Sequence, residues 1–411
     1  MQFTELQLNA SLLKAIAEER FQTPTQVQEQ AIPPILAKKN VIVSAQTGTG
    51  KTAAFALPIL QLLLDRLAPE KKPKRIKSLI VTPTRELCLQ IEANFKSYAK
   101  HTDLTTTAVY GGVSLAPQKE ILKEGVDILI ATPGRLIDLH KQGAIDLRAI
   151  EIFVLDEADL MLDMGFINDV TTIESLCPRK KQSLLFSATI PDKIVALSET
   201  MIKNPIIIKI NPAETTAKTI GQLLYYSPKK NKTDLCLYLL RNTINGKIII
   251  FRRTRIGVDK LEETLSKNGY KVTSIHGEKT QIIRNKAIED FKNKKATILI
   301  ATDVAARGID INNVDAIINF DIPNIPETYI HRIGRTGRAG KSGIAFSFCS
   351  PDEDAYIKTI EELLQRPIKV ITDHPYPRVQ PKKQKKQPNT ISKHKKGRKS
   401  EASKKKKKRW Y

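Results

Sequence analysis

At 411 residues, 41% of them hydrophobic, the chain can bury the cores of two ordinary domains, and no apolar run reaches the ~18 residues that a membrane-spanning helix needs. The net charge is +24 and unevenly spread. Cys88, Cys177, Cys236 and Cys349 stand far apart without a C-x-x-C pair, which argues against a zinc site or a disulfide framework and fits a reducing cytosol. The start, Met1-Gln2-Phe3-Thr4-Glu5, is neither basic nor apolar, so no signal peptide is expected and the expected location is cytoplasmic.

Phe3 to Arg20 reads as a short entry and an amphipathic helix, with Asn9 or Ser11 as N-cap and Leu12, Leu13 and Ile16 on one face. Phe21 and Gln28 follow. A glutamine amide offers one donor and one acceptor, the match to adenine N6 and N7, and an aromatic ring nearby suits stacking on the base. Then comes the stretch around which the chain is organised: the apolar run Val41-Ile42-Val43, the loop Ala45-Gln46-Thr47-Gly48-Thr49-Gly50-Lys51-Thr52, and a helical pattern from Ala53 to Leu67. Strand, glycine-rich loop, Lys-Thr and helix are the context of a phosphate-binding loop. Its glycines let backbone N–H groups turn inward around a polyphosphate, and the helix adds its positive N-terminal end. Lys51 is placed to reach the β- and γ-phosphates, and the Thr52 hydroxyl to ligate Mg²⁺. A ligand-free glycine turn is the plainer alternative; the flanking strand and helix argue against it.

Three further strands end in loops of one design. Ser78 to Thr82 runs into Pro83-Thr84-Arg85-Glu86-Leu87, Thr105 to Tyr110 into Gly111-Gly112, and Asp127 to Ala131 into Thr132-Pro133-Gly134-Arg135. Small or hydroxyl residues at a strand end before a helix N-terminus suit a phosphate backbone, and three such loops point to a ligand along one edge of a parallel sheet. The apolar run Ile152 to Leu155 ends abruptly in Asp156-Glu157-Ala158-Asp159. Asp156 is expected on a strand adjacent to the phosphate loop, holding Mg²⁺ from the second side, with Glu157 orienting or deprotonating the attacking water. Leu184 to Thr189 is another strand with hydroxyls at its end.

The alternation of strands and helices gives one α/β domain over 1–206, a linker over 207–218, a second α/β domain over 219–368 and a tail over 369–411. Strands of the second domain are expected at 247–251, 271–275, 297–301, 315–320 and 343–348. Ile298 to Thr302 repeats Ile128 to Thr132 letter for letter, Phe346-Ser347 echoes Phe186-Ser187, and Asp321 ends a strand as Asp156 does, which suggests a duplicated fold. The second copy has no Gly-Lys-Thr loop and no Glu after Asp321, so it should not hydrolyse nucleotide unaided. Arg335 and Arg338, flanked by glycines, are placed to reach one anion, either a transferring phosphoryl group or an RNA phosphate. From Arg378 to Tyr411 there are 16 Lys and Arg against one Glu and no apolar periodicity, so this segment is expected to be disordered, and either to hold a polyanion or to solubilise.

Together these residues resemble the DEAD-box RNA helicase family along nearly the whole ordered chain. Phe3, Phe21 and Gln28 look like its Q motif, Ala45 to Thr52 motif I, Pro83 to Leu87 motif Ia, Gly111-Gly112 the GG element and Thr132 to Arg135 motif Ib. Asp156 to Asp159 spells the family name. Ser187 to Thr189 resembles motif III, Ile249 to Phe251 motif IV, Gln281 and Arg284 the Q-x-x-R element, Thr302 to Asp310 motif V and His331 to Arg338 motif VI. The wording of Val126 to Leu139, Asp156 to Phe166 and Ile275-His276-Gly277 is most similar to the bacterial RhlE-like subgroup. Arg20 stands where the family usually has Gly, and Arg252, where smaller residues are common, is expected to add an RNA-phosphate contact.

The resemblance implies an α/β fold of two tandem RecA-like (P-loop NTPase-type) parallel-sheet domains plus a disordered basic C-terminal tail. The domains would close around ATP and Mg²⁺ on one side and single-stranded RNA or a short duplex on the other. It assigns ATP binding to Phe21, Gln28, Gln46 to Thr52 and Asp303, and catalysis to Lys51, Asp156, Glu157, Arg335 and Arg338. Thr52 and Asp156 would hold the metal, partly through water. Asp159, Ser187, Thr189 and His331 would couple closure to chemistry. RNA contacts fall to Pro83, Arg85, Gly111, Gly112, Thr132, Pro133, Gly134, Arg135, Arg252, Gln281, Arg284, Thr302, Arg307 and Gly308. The expected activity is RNA-stimulated ATP hydrolysis coupled to local, non-processive duplex separation. The expected state is a monomer away from membranes, with ribosome assembly intermediates or RNA-decay proteins as partners. A non-catalytic RNA clamp or annealing protein acting through the basic tail, and a DNA helicase, are the alternatives.

Overall fold

The computed structural model describes residues 1–378 except 47, 66–73, 211–219, 307–310, 312–313 and 338–342. The short Val-, Ile- and Leu-rich runs become strands because an apolar run of four to seven residues fits a parallel sheet covered on both faces. In the first half these are β1 (Val41–Ser44), β2 (Ser78–Val81), β3 (Thr106–Val109), β4 (Ile128–Ala131), β5 (Ile152–Asp156), β6 (Gln182–Ser187) and β7 (Ile206–Lys209). In the second they are β8 (Ile220–Tyr226), β9 (Ile248–Arg252), β10 (Val272–Ile275), β11 (Ile298–Thr302), β12 (Ala316–Asn319), β13 (Gly343–Cys349) and β14 (Lys369–Ile371). They form two seven-stranded sheets, ordered β3-β4-β2-β5-β6-β1-β7 and β10-β11-β9-β12-β13-β8-β14. Successive residues point to opposite faces, so Val41 and Val43 enter one core layer and Ile42 the other.

The helices of the first half are α1 (Ala10–Glu18), α2 (Gln26–Leu36), α3 (Lys51–Leu64), α4 (Arg85–Tyr98), α5 (Ala116–Lys123), α6 (Pro133–Lys141), α7 (Ala158–Asp163), α8 (Ile167–Leu176) and α9 (Asp192–Met201). Those of the second are α10 (Lys232–Asn242), α11 (Arg255–Lys267), α12 (Gln281–Lys292), α13 (Asp303–Ala306), α14 (Pro326–Ile333) and α15 (Asp354–Leu364). Asn9 is the N-cap of α1, its side-chain oxygen accepting from the Ser11 N–H at 3.0 Å. No helix among the described residues is long and apolar enough to cross a membrane.

Three expectations are corrected. The linker read over 207–218 begins too early, because Ile206–Lys209 pairs in parallel with β1 and buries Ile208; the rest of that span from residue 211 lies outside the described residues. The tail read over 369–411 also begins too early. Lys369–Ile371 pairs with β8, and the Tyr225 ring packs edge-on against His374 at 5.4 Å. The remainder of the tail from residue 379 lies outside the described residues. Finally, Asp156 does not sit beside the phosphate-loop strand: β6 lies between β5 and β1, so Ser187 is inserted between the two chemistries.

Candidate functional site

The C-terminal edge of the first sheet divides into two halves. β1, β5 and β6 end at the phosphate loop, Asp156 and Ser187; β2, β3 and β4 end at the three loops rich in Thr, Gly and Arg. Ligands of open α/β sheets gather at such strand ends.

In the first half, Lys51 opens α3 and donates from Nζ to Glu157 Oε1 at 2.8 Å, both side chains being buried. Burial works against its charge, but Glu157, Asp156 and Asp159 outweigh it and raise the ammonium above its ordinary value. Glu157 adopts a left-handed conformation (φ 54°), a rare one for a side chain with a Cβ, at the sharp turn from β5 into α7. Asp156 is buried, and burial followed by the charge of Glu157 pushes its carboxyl up to about 7. Its Oδ1 is buried without a hydrogen-bond partner. A cation at that atom would restore the ionised form, so Asp156 fits the expected metal role. Among the described residues no group of three or more His, Cys, Asp or Glu forms a metal cage.

Gln28 and Gly50 are interlocked. The Gln28 amide N–H donates to the Gly50 carbonyl at 3.2 Å, and its Oε1 accepts from the Thr25 N–H at 2.9 Å. Gly50 has φ 93°, so its conformation favours glycine, and a Cβ there would lie 2.4 Å from Gln28 Nε2 and push the amide off the loop. Phe21 is stacked on Phe3 at 6.2 Å and edge-on to Tyr98 at 6.0 Å. Arg20, where the family usually has Gly, adopts φ 59°, which explains the usual preference.

Across from this half lies the second sheet. Asp159 accepts from the Thr189 N–H and hydroxyl, both at 3.0 Å, and its own N–H donates to Ser187 Oγ at 3.1 Å. Burial pushes the Asp159 carboxyl up, but His331, then Lys51 and the Ser187 and Thr189 bonds, hold it below the ordinary range. Glu157, Asp159 and Thr189 line a cavity of about 380 Å³ together with Thr328, His331 and Arg335 from α14 and the turn after it. Asp303 is held by Arg332, which donates from Nε and Nη2 to its two oxygens at 2.6 and 2.7 Å. Gln46 is buried, Gly48 and Thr49 are partly or fully exposed in the loop, Thr52 is partly exposed in the first turn of α3, and Thr47 and Arg338 lie outside the described residues.

In the other half, Pro83, Arg85, Gly111, Gly112, Thr132, Pro133, Gly134 and Arg135 line one groove of about 610 Å³ together with Gln281 and Arg284 of α12. The N-termini of α4, α6 and α12 all open into it, and each favours an anion. Gly112 has φ 75°, and a Cβ would meet the Arg85 guanidinium at 1.8 Å, so glycine lets Arg85 lie flat on the loop. Burial lowers Arg85 from its ordinary value, Glu86 opposes that, and Arg284 and Arg135 add to it. Arg135 Nη1 is buried without a partner, while its Nη2 donates to the Val113 carbonyl at 2.8 Å. Glu86, to which the sequence assigned no role, ties the groove together. It pairs with Arg284 at 2.8 Å and accepts from the Gln281 amide at 2.9 Å.

Arg252 does not join this groove. It pairs with Asp321 at 2.9 Å and lies over the Phe320 ring at 4.1 Å, so its guanidinium is committed inside the second domain. Thr302 ends β11 beside Val304 and Ala305 of the groove lining, and Arg307 and Gly308 lie outside the described residues. Lys279, Met164 and Phe166 also line the groove, and Arg332, within the His331 to Arg338 stretch, supports Asp303; none of the four was given a role by the sequence.

Comparisons with known proteins agree with this layout. Residues 25–197 match the DEAD/DEAH box helicase model and residues 231–340 the helicase conserved C-terminal domain. The chain is 43% identical over 351 residues to the DEAD-box ATP-dependent RNA helicase RhpA of Helicobacter pylori, covering 85% of this chain and 70% of that protein. It is 42% identical over 366 residues to the ATP-dependent RNA helicase CshA of Listeria monocytogenes, covering 89% and 69%. S. cerevisiae Dbp5 bound to RNA and ADP BeF3 superposes with a TM-score of 0.80 at 32% identity, over 90% of this chain and 95% of that one. Mss116 bound to single-stranded RNA and UDP-BeF gives 0.82 at 32% identity, over 91% and 79%. With nucleotide-type and backbone-type anion sites on one sheet edge, and relatives aligned across both sheets, the chain belongs to the DEAD-box family of ATP-dependent RNA helicases.

Proposed function

We propose that RNA binding in the groove and ATP binding at the phosphate loop jointly hold the two domains together, and that this coupling drives hydrolysis and local duplex separation. The observation that carries it is the 380 Å³ cavity, which has the catalytic candidate Glu157 on one wall and Arg335 on the other. Each ligand then raises the affinity of the other by the same factor. Lys51 exchanges Glu157 for the nucleotide phosphates, which frees the Glu157 carboxylate to accept a proton from water. Arg335 faces the charge that grows on the transferring phosphoryl group. A divalent cation held by Thr52 and Asp156 would supply charge neutralisation at the phosphates. Asp159, Thr189 and His331 carry closure from one domain to the other. The groove offers positive charge and helix N-termini with few base-reading groups, so it tracks backbone rather than sequence.

Replacing Glu157→Gln tests this reading. RNA-stimulated phosphate release should fall by about 10²–10⁴-fold while the complex with ATP and RNA persists. Wild-type turnover would remove Glu157 from the mechanism. Within the same proposal we place the protein in the cytoplasm as a monomer of the RhlE-like subgroup, serving ribosome assembly or RNA decay. Crosslinking RNA and proteins to the Glu157→Gln form identifies the partners, and recovery of neither class would overturn that placement.

A further inference from the structure

The two sheets also differ at the end of their strands remote from both sites. Backbone hydrogen bonds put four residues side by side along this N-terminal edge in each sheet. In the first, Asp127 N–H donates to the Thr105 carbonyl, Ser78 N–H to the Asp127 carbonyl and Glu151 N–H to the Lys77 carbonyl, giving the row Thr105, Asp127, Lys77, Glu151. In the second, Thr297 N–H donates to Lys271, Ile248 N–H to Thr297 and Asp315 N–H to Lys247, giving Lys271, Thr297, Lys247, Asp315. In the first row, Lys77 is paired with Glu151 at 3.3 Å, and the nearby Lys74 with Asp127 at 2.7 Å. In the second row the threonine position becomes Lys271 and the aspartate position Thr297.

The end of α12 and the turn after it add Lys292, Lys294 and Lys295 to the same edge, all exposed. Lys247 lies over the Phe291 ring at 4.8 Å, which fixes its stem there. Burial, then Lys294, lowers its ammonium from the ordinary value, and Lys292 adds to this against Asp315, so these charges are mutually close. Asp290 lies 3.7 Å from Lys295, and Asp315 accepts the Lys247 N–H through Oδ2 at 2.7 Å.

We propose that this edge, built from Lys271, Lys247, Lys292, Lys294 and Lys295, is a second RNA-backbone surface for strands that extend beyond the groove. The residue type supports RNA held loosely rather than read. The groove holds Arg85 flattened on Gly112, a geometry for close, oriented contact, whereas the cations of the edge are lysine ammonium groups, those of Lys271, Lys292, Lys294 and Lys295 on exposed stems. Such groups act as point charges, displace counterions and follow a phosphate chain without sequence preference. The edge is separated from the groove end by the length of the sheet, about 17 Å for a five-residue strand, so an RNA confined to the groove does not reach it.

The inference rests on RNA being the groove ligand, and the test separates the two. The variant carries Lys271→Gln, Lys292→Gln, Lys294→Gln and Lys295→Gln in the full chain; Lys247 is kept because its stem covers Phe291. Affinity is measured across a salt series for a short single strand that fills only the groove and for one several times longer. The expected result is an unchanged short-strand affinity and unchanged short-strand stimulation of ATP hydrolysis. For the long strand, the slope of log affinity against log salt becomes shallower by about 0.7 for each lysine that holds a phosphate. Equal losses on both strands, or an unchanged long-strand slope (the result if the edge serves an acidic protein instead), would overturn the proposal. Loss of all RNA stimulation in the unmodified protein would instead overturn the groove reading.

Discussion

The two sheets are the same object with different chemistry. Their strand orders coincide when each strand of the second is matched to the strand seven earlier. Two of the sequence echoes land on matched strands, Ile128 to Ala131 and Ile298 to Ala301 on β4 and β11, and Phe186 and Phe346 on β6 and β13; the third is looser, since Asp156 ends β5 while Asp321 lies two residues beyond β12. The helix after the first strand also opens with lysine in both copies. Lys51 meets Glu157 in the cavity, while Lys232 is buried against Glu353 at 2.5 Å and caps the Phe320 carbonyl at 2.9 Å. One lysine is left where a phosphate reaches it, and the other closes a strand end. The difference teaches that topology survives duplication because apolar runs maintain it, whereas the chemistry at strand ends is free to diverge.

Arginine substitutions separate site from scaffold most strongly. Arg335→Ala should lower RNA-stimulated turnover by about 10³–10⁵-fold with little change in melting temperature. Arg332→Ala, which strips the pairing from Asp303, should instead lower the unfolding midpoint of the second domain. Phosphate release and thermal melting distinguish them, and equal behaviour of the two would erase the distinction. The matched lysines give the next effect. Lys232→Ala removes the closer of two cations from buried Glu353, leaving Arg253 at 3.1 Å, and should cost about 1–3 kcal/mol by denaturant titration. Lys51→Ala also breaks a buried pair, with Glu157, but should in addition abolish turnover, whereas the Lys232 variant should keep it; a Lys232 variant as stable as wild type would show that the second lysine carries no structure. The smallest contrast concerns the seventh strands. Ile208→Ala, 6% exposed, should cost about 2–4 kcal/mol. Val370→Ala, 44% exposed on β14, should stay within about 0.5 kcal/mol, as exposed substitutions do.

Much of the fold was legible because buried parallel strands are short apolar runs, and much of the site because its groups stand where those runs stop. The phosphate loop, Asp156-Glu157 and the three groove loops all share that grammar. What escaped was either short or distant. Ile206–Lys209 is hidden between Pro205 and Pro212, β14 has three residues, and Gly221 and Gln222 interrupt the apolar pattern of β8. The partner of Glu86 lies nearly two hundred residues away, and Arg252 meets Asp321 only after the sheet has formed, so no local pattern announces either pair. Strand order is likewise absent from spacing, which is why Asp156 was expected next to β1 and is found one strand further.

The interlock of Gln28 with Gly50 has a consequence for substrate choice. A Gln28 amide that turns to a base gives up one donated and one accepted bond, so selection depends on how many the base returns. Adenine returns both, through N7 and N6, whereas guanine presents two acceptors and leaves Gln28 Oε1 without a donor. An unmet buried polar group costs about 1–3 kcal/mol, or roughly five- to 150-fold in affinity. Disengaging the loop costs the same for either base, so selectivity is set by the unmet Gln28 acceptor, and comparing dissociation constants for ATP and GTP measures it. Equal constants would show that the glutamine secures the glycine loop and leaves the base unread.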